Sequence, residues 1–191
     1  ETGEATRHAL TGEALRAAHR KRKLAGVLVA SPANPTGTMM TPQALGDLIA
    51  VAAEEGIRFI SDEIYHGLDY AVRAETALRL SDNVVVINSF SKYFCMTGWR
   101  IGWMVVPEAL VRPIERLAQN LYISAPYLSQ VAALAAFDAT EELEAVKADY
   151  ARARALLLTE LPALGLGDVH PADGALLRRV QGWFQSLGPP A

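Results

Sequence analysis

With 191 residues, 51% of them hydrophobic and 20% charged, the chain has the material for a packed globular core and lacks the polar character of a disordered one. Its formal net charge of −3 gives no electrostatic footprint for nucleic acid, and no apolar run approaches the roughly 20 residues that span a bilayer. The single cysteine, Cys95, excludes an internal disulfide framework and fits a reducing compartment, and no secretory signal is visible, so a cytoplasmic location is expected.

The chain begins at Glu1, which suggests that a natural amino terminus lies upstream. Thr11 reads as the cap of a short helix carrying Leu15, and the basic run His19 to Lys23 reads as its solvated end. Leu24 to Ala30 is an apolar run expected to form a buried strand, stopping at Ser31-Pro32. Asn34-Pro35-Thr36-Gly37 follows, a turn in which Pro35 and Gly37 would aim the Asn34 side chain. Thr41-Pro42 predicts a second helix start, Leu45, Leu48, Ile49 and Ala52 recur at helical spacing, and Gly56 marks the end. Ile57 to Ser61 is the next strand, so this strand-helix-strand unit predicts parallel pairing. Asp62 and Tyr65 then leave its carboxyl end. Glu63 is expected to be structural and His66 to be packed rather than catalytic.

Gly67 to Ser81 reads as an irregular connection with one helical turn around Glu75 to Leu80. Val84 to Ile87 is a β-branched run suited to a strand buried on both faces, with Ser89, Ser91 and Lys92 emerging at its carboxyl end, where ligands bind in open α/β sheets. A lysine amine is a nucleophile only when neutral, and partial desolvation beside the fixed cation of Arg100 favours that state. Arg100 offers a planar fork of donors for a phosphate and Ser89 a hydroxyl. An imine-forming lysine beside a phosphate cradle is the requirement for holding pyridoxal phosphate. Trp99 to Val106 predicts a strand, with Gly98 and Gly102 at close backbone approaches, while Cys95 and Met96 are expected to be packed. Helices are predicted over Pro107 to Ala118, Leu128 to Phe137 and Thr140 to about Leu161, the last with Glu141 and Glu142 in its first turn.

Ser89-Phe90-Ser91-Lys92 followed by Gly98-Trp99-Arg100-Ile101-Gly102 resembles the cofactor-lysine signature of the class I/II pyridoxal-phosphate-dependent aminotransferases, of fold type I. Asn34 to Gly37 resembles the family's Asn-Pro-Thr-Gly turn and Asp62 to Tyr65 its Asp-x-x-Tyr element, in the family's order. The resemblance implies an α/β fold, a mostly parallel sheet flanked by helices, with the Trp99 to Val106 strand antiparallel. It implies a partial cofactor-binding large domain over 1–139, an interdomain helix over 140–165 and the start of a small domain over 166–191. By resemblance, Lys92 forms the imine with the cofactor and moves the proton, Asp62 faces the pyridine nitrogen, and Asn34 and Tyr65 meet the phenolic oxygen. Ser89, Ser91 and Arg100 serve the phosphate, and no metal is implied. The substrates would be an amino acid and a 2-oxo acid. Full-length relatives are homodimers, with Tyr122 and Ser124 as candidates for the neighbouring subunit.

The pattern departs after Pro171-Ala172-Asp173-Gly174-Ala175, which Leu-Leu-Arg-Arg follows. The arginine that binds the substrate carboxylate in relatives has no clear counterpart, Arg178 and Arg179 being the only ones nearby. A central portion of an aminotransferase, with reduced cofactor affinity and activity, is the expectation. Other readings of the same residues are a lyase or synthase using the same cofactor, or a cofactor-sensing regulatory domain.

Overall fold

A computed structural model describes residues 3, 6–165 and 171–175; Arg178 and Arg179, like most of the stretch expected to start a small domain, lie outside the described residues. Strands β1 (Gly26–Ala30), β2 (Arg58–Asp62) and β3 (Val84–Ser89) run parallel, and β4 (Gly102–Val105) lies antiparallel to β3, in the spatial order β1-β2-β3-β4. Helix α1 (Gly12–Lys21) precedes β1, α2 (Pro42–Glu54) connects β1 to β2, and α3 (Glu108–Leu121), α4 (Tyr127–Ala136) and α5 (Thr140–Glu160) follow β4. The chain is thus an α/β unit with a mostly parallel sheet, as its sequence pattern implies.

Local chemistry sets these elements. The Thr11 and Thr41 hydroxyls accept from the N–H groups of Ala14 and Ala44, each at 3.2 Å, satisfying donors that a helix start leaves open. Gly56 closes α2 at φ +68°, a backbone region that favours glycine. Val84 and Val86 are two residues apart and so share a face of the sheet. They pack with Phe59 against Leu15, Leu45, Leu48, Ile49 and Ala52 of α1 and α2, which forms the main core. A second cluster joins Phe90 and Met96 to Ala133 of α4, with the rings of Phe90, Phe94, Trp103 and Phe137 meeting mostly edge to face.

Four local expectations change. Among the described residues β1 lies at one end of the sheet order, and Leu28 is 60% exposed rather than buried. His19 is buried instead of ending a solvated helix: its Nδ1 accepts from the Leu24 N–H at 3.2 Å and its Nε2 lies 3.0 Å from Lys23 Nζ. Met96 is packed as expected, but Cys95 is exposed, at φ +56° in the turn after Lys92. A Cβ at Gly102 would stand 2.6 Å from the Asn88 carbonyl oxygen, so the close approach is real there; around Gly98 the space is open.

Residues 171–175 return to the sheet's carboxyl edge. Asp173 and Gly174 donate their N–H groups to the Gly37 carbonyl at 2.9 and 3.2 Å, and Ala175 donates to Leu68 at 2.7 Å. A Cβ at Gly37 would overlap Ala172 at 2.4 Å, and Gly37 sits at φ +67°, so two constraints require glycine there. The Asp173 carboxylate completes the clasp, pairing with Arg7 at 2.9 Å and accepting from the Met39 N–H at 3.1 Å.

Candidate active site

The three parallel strands end side by side, with Ala30 opposite Asp62 and Asp62 opposite Ile87, so the segments that leave them start from one edge. Asn34 lies in the turn after β1, Asp62 closes β2, Tyr65 sits one short turn later, and Lys92 follows β3. Side-chain interactions draw these four together. Tyr65 is 5% exposed, and burial pushes its hydroxyl above the ordinary value; the negative charge of Asp62 adds to that, while a hydrogen bond with Asn34 acts the other way. The Lys92 ammonium lies over the Tyr65 ring, 5.5 Å from its centroid. Asp62 Oδ1 accepts from the Ile64 N–H at 3.1 Å, an Asx turn that fixes the carboxylate.

Ser89, Ser91 and Arg100 form a second group around the lysine turn. Ser89 Oγ lies 2.9 Å from Ser91 Oγ and accepts from the Ser91 N–H at 3.1 Å. Thr97 Oγ1 donates to the Ser91 carbonyl at 2.6 Å, and the Arg100 guanidinium donates to the Thr97 carbonyl at 2.9 Å. Arg100 itself is exposed and left-handed, at φ 50° and ψ 50°. Its link to Lys92 therefore runs through Thr97 and Ser91, and among the described residues neither the guanidinium nor the Lys92 side chain hydrogen-bonds Ser89.

Behind this edge Glu63 is a buried carboxylate, 3% exposed, with every side of it engaged. Its Oε1 accepts from Ser61 Oγ and Thr76 Oγ1 at 3.1 Å and from the Ala77 N–H at 2.8 Å, while Oε2 faces His66 Nδ1 at 3.3 Å. The other ring nitrogen of His66 lies 3.1 Å from the Ser31 carbonyl. Glu63 and His66 thus brace the Asp62 turn against the segment that leads to Asn34, the supporting roles expected of them. The sequence did not disclose three other supports: Tyr93, Gly67 and Glu144. Tyr93 Oη donates to Glu144 Oε1 across 51 positions of sequence, and no short-range pattern encodes such a pairing. No group of His, Cys, Asp and Glu side chains arranged to hold a metal ion occurs among the described residues.

The model of the family described as aminotransferase class I and II matches residues 4–177. The valine–pyruvate aminotransferase of Mycobacterium tuberculosis is 48% identical over 156 residues, which are 80% of this chain and 40% of that protein. The (5-formylfuran-3-yl)methyl phosphate transaminase of Methanocaldococcus jannaschii is 37% identical over 149 residues, 75% of this chain and 39% of the relative. Among solved structures, an aminotransferase from Mycobacterium tuberculosis superposes with a TM-score of 0.85 at 46% identity, over 91% of this chain and 45% of that one. Aspartate aminotransferase from Thermus thermophilus with maleate gives 0.83 at 31% identity, over 92% and 47%. The chain spans about 40% of the length of these curated relatives. With the strand order, the motifs and the matched range in agreement, this chain belongs to the class I and II aminotransferases.

Proposed function

We propose that the chain is the cofactor-anchoring portion of a pyridoxal-phosphate-dependent aminotransferase, acting on an amino acid and a 2-oxo acid, with Lys92 as the covalent anchor and proton carrier. The observation that carries this reading is the gathering of Asn34, Asp62, Tyr65 and Lys92 at the carboxyl ends of three parallel strands. The residues fit the cofactor. Lys92 Nζ makes no hydrogen bond or ion pair among the described residues, so its amine is available to an aldehyde. Asp62 has one oxygen fixed by Ile64, which leaves the other to face a ring nitrogen. The Asn34 and Tyr65 side chains interact and would both turn polar groups to a phenolic oxygen, while Ser89, Ser91 and Arg100 supply hydroxyls and a guanidinium for the phosphate.

Bound there, pyridoxal phosphate supplies an electron-accepting ring through which an amino group changes carriers. The protein's part is to keep the ring nitrogen protonated through Asp62, to hold the oxygen opposite Asn34 and Tyr65, and to move a proton at Lys92 Nζ once that amine is released. The organisation follows the same reading: residues 1–139 belong to the cofactor domain, 140–165 link it to a small domain, and 166–191 begin that domain. Because the chain spans about 40% of its curated relatives, amino transfer by these 191 residues alone is expected to be impaired. The relative named for valine and pyruvate makes that pair the first to offer, and a cytoplasmic homodimer is the proposed setting.

The test is to incubate the chain with pyridoxal phosphate, reduce with borohydride and locate the modified peptide by mass spectrometry. A pyridoxyl group on Lys92 is expected. Modification spread over the surface lysines with Lys92 unlabelled would overturn the assignment.

A further inference from the structure

We infer that Tyr93, held by Glu144 of α5, is a positioning residue for Lys92: it fixes the turn from which the lysine reaches the site. This rests on the reading of Lys92 as the cofactor anchor.

The turn is gripped from both sides. Phe90 and Phe94 enter the aromatic cluster with Trp103 and Phe137, at ring separations of 4.8 to 6.4 Å. Tyr93 enters the other cluster, with Tyr65, Leu68 and Tyr150. Lys92 alone in this stretch is left to project over the Tyr65 ring. The Tyr93 ring lies on the backbone of Gly67, so closely that a Cβ there would be 2.6 Å from two ring carbons; Gly67 has φ +91° and comes two residues after Tyr65. Tyr93 Oη then donates to Glu144 Oε1 at 2.7 Å.

Helix α5 makes further contacts from the same stripe, which gives the tyrosine a stiff backing. Lys147, one turn beyond Glu144, pairs with Asp69 at 2.7 Å, and Arg154 donates to the Ala172 carbonyl at 2.7 Å while lying over the Tyr70 ring. Burial, reinforced by the Glu144 carboxylate, pushes the Tyr93 hydroxyl up to about 12, so it remains the donor across the whole working pH range. A side chain fixed at one end on Gly67 and at the other on α5 removes the freedom of its own backbone, and Lys92 is the adjacent residue.

The test compares four variants of the chain by the rate at which borohydride-trapped pyridoxyl label appears on Lys92, with far-UV circular dichroism as a check on folding. Tyr93→Phe keeps the ring on Gly67 and removes the hydroxyl, and Glu144→Ala removes the acceptor. Both should slow labelling about fivefold, the equivalent of one ordinary hydrogen bond. Glu144→Gln retains an acceptor oxygen and should stay within about twofold of the parent, a rescue that loss of charge alone would not produce. Lys147→Ala removes a different α5 contact and controls for general loosening of the helix. Equal labelling of Tyr93→Phe and the parent overturns the inference, as does a loss in Lys147→Ala as large as in Glu144→Ala. A parent chain that gains no label on Lys92 at all refutes the anchor assignment and this inference with it.

Discussion

At the carboxyl ends of β1 to β3 the side chains are polar and almost all engaged, from the buried Glu63 to the Asn34 and Tyr65 pair; on and between α3 and α4 a set of large apolar side chains is bare, beside charged ones such as Arg112 and Glu115. Leu121, Ile123, Tyr127, Leu128 and Leu134 are 73% to 81% exposed, whereas Leu48 of α2 is 0% exposed. Leu48 and Leu134 look alike in sequence, each an apolar position on an alanine-rich helix. Periodicity tells which residues share a face, and it does not tell whether anything covers that face. The polar edge is different, because a buried carboxylate or hydroxyl is tolerated only where its partners are in place, so its arrangement is set within the unit.

The sharpest way to break this contrast is Lys92→Ala. It should abolish the borohydride-trapped label completely while far-UV circular dichroism stays unchanged, since the ammonium contributes only its contact over the Tyr65 ring. A label that persists at the same peptide would remove the polar edge's claim to be a site. Next comes the pair Leu48→Ala and Leu134→Ala, followed by urea unfolding. The first should cost about 3 kcal/mol, through lost burial and a cavity, and the second should stay within about 0.5 kcal/mol. Equal losses would mean that the α4 face is covered in solution. Gly102→Ala should cost about 1–3 kcal/mol, because its Cβ would press on the Asn88 carbonyl and part β3 from β4; an unchanged urea midpoint would show that the edge strand yields.

The smallest effect concerns acid. Burial alone would raise the Asp69 carboxyl, but the hydrogen bond and charge of Lys147 and the Ala74 N–H outweigh it and hold the group below its ordinary value of 3.8. A carboxyl depressed in the folded state contributes stability that is complete above the unfolded value and is lost as pH falls through the folded one. Asp69→Asn should therefore flatten the stability profile below about pH 4 and leave its shape at neutral pH intact. A profile with the parent's acid slope would separate Asp69 from that transition.

Much of the site was legible because strand ends are legible. Short apolar runs and their terminators place Asp62, Ser89 and Lys92 at one edge without any knowledge of contacts, and Thr11, Thr41 and Gly56 announce helix ends through side-chain and backbone chemistry that acts over a few residues. What escaped depends on partners distant in sequence. His19 is buried because it caps the entry to Leu24 and meets Lys23, so a run that looks like a solvated end hides one inward ring. Cys95 is exposed because it is itself left-handed, at φ +56°, a turn conformation that leaves it outside as Met96 goes in. Arg100 adopts a left-handed conformation that no propensity indicates, and the Tyr93 to Glu144 bond joins residues that share no motif.

The clasp formed by residues 171–175 has a consequence for how the chain acquires its structure as it is made. The main core uses α1, α2 and the first three strands, all present once residue 89 has been synthesised. The turn that carries Asn34 is closed by partners far downstream: the Met39 N–H waits for Asp173, 134 positions later, and the hollow over Gly37 waits for Ala172. Contacts of such long sequence separation close late, after the entropy of the intervening loop has been overcome. On an emerging polypeptide, the sheet can therefore set first while one wall of its carboxyl edge stays open until the chain has passed residue 175.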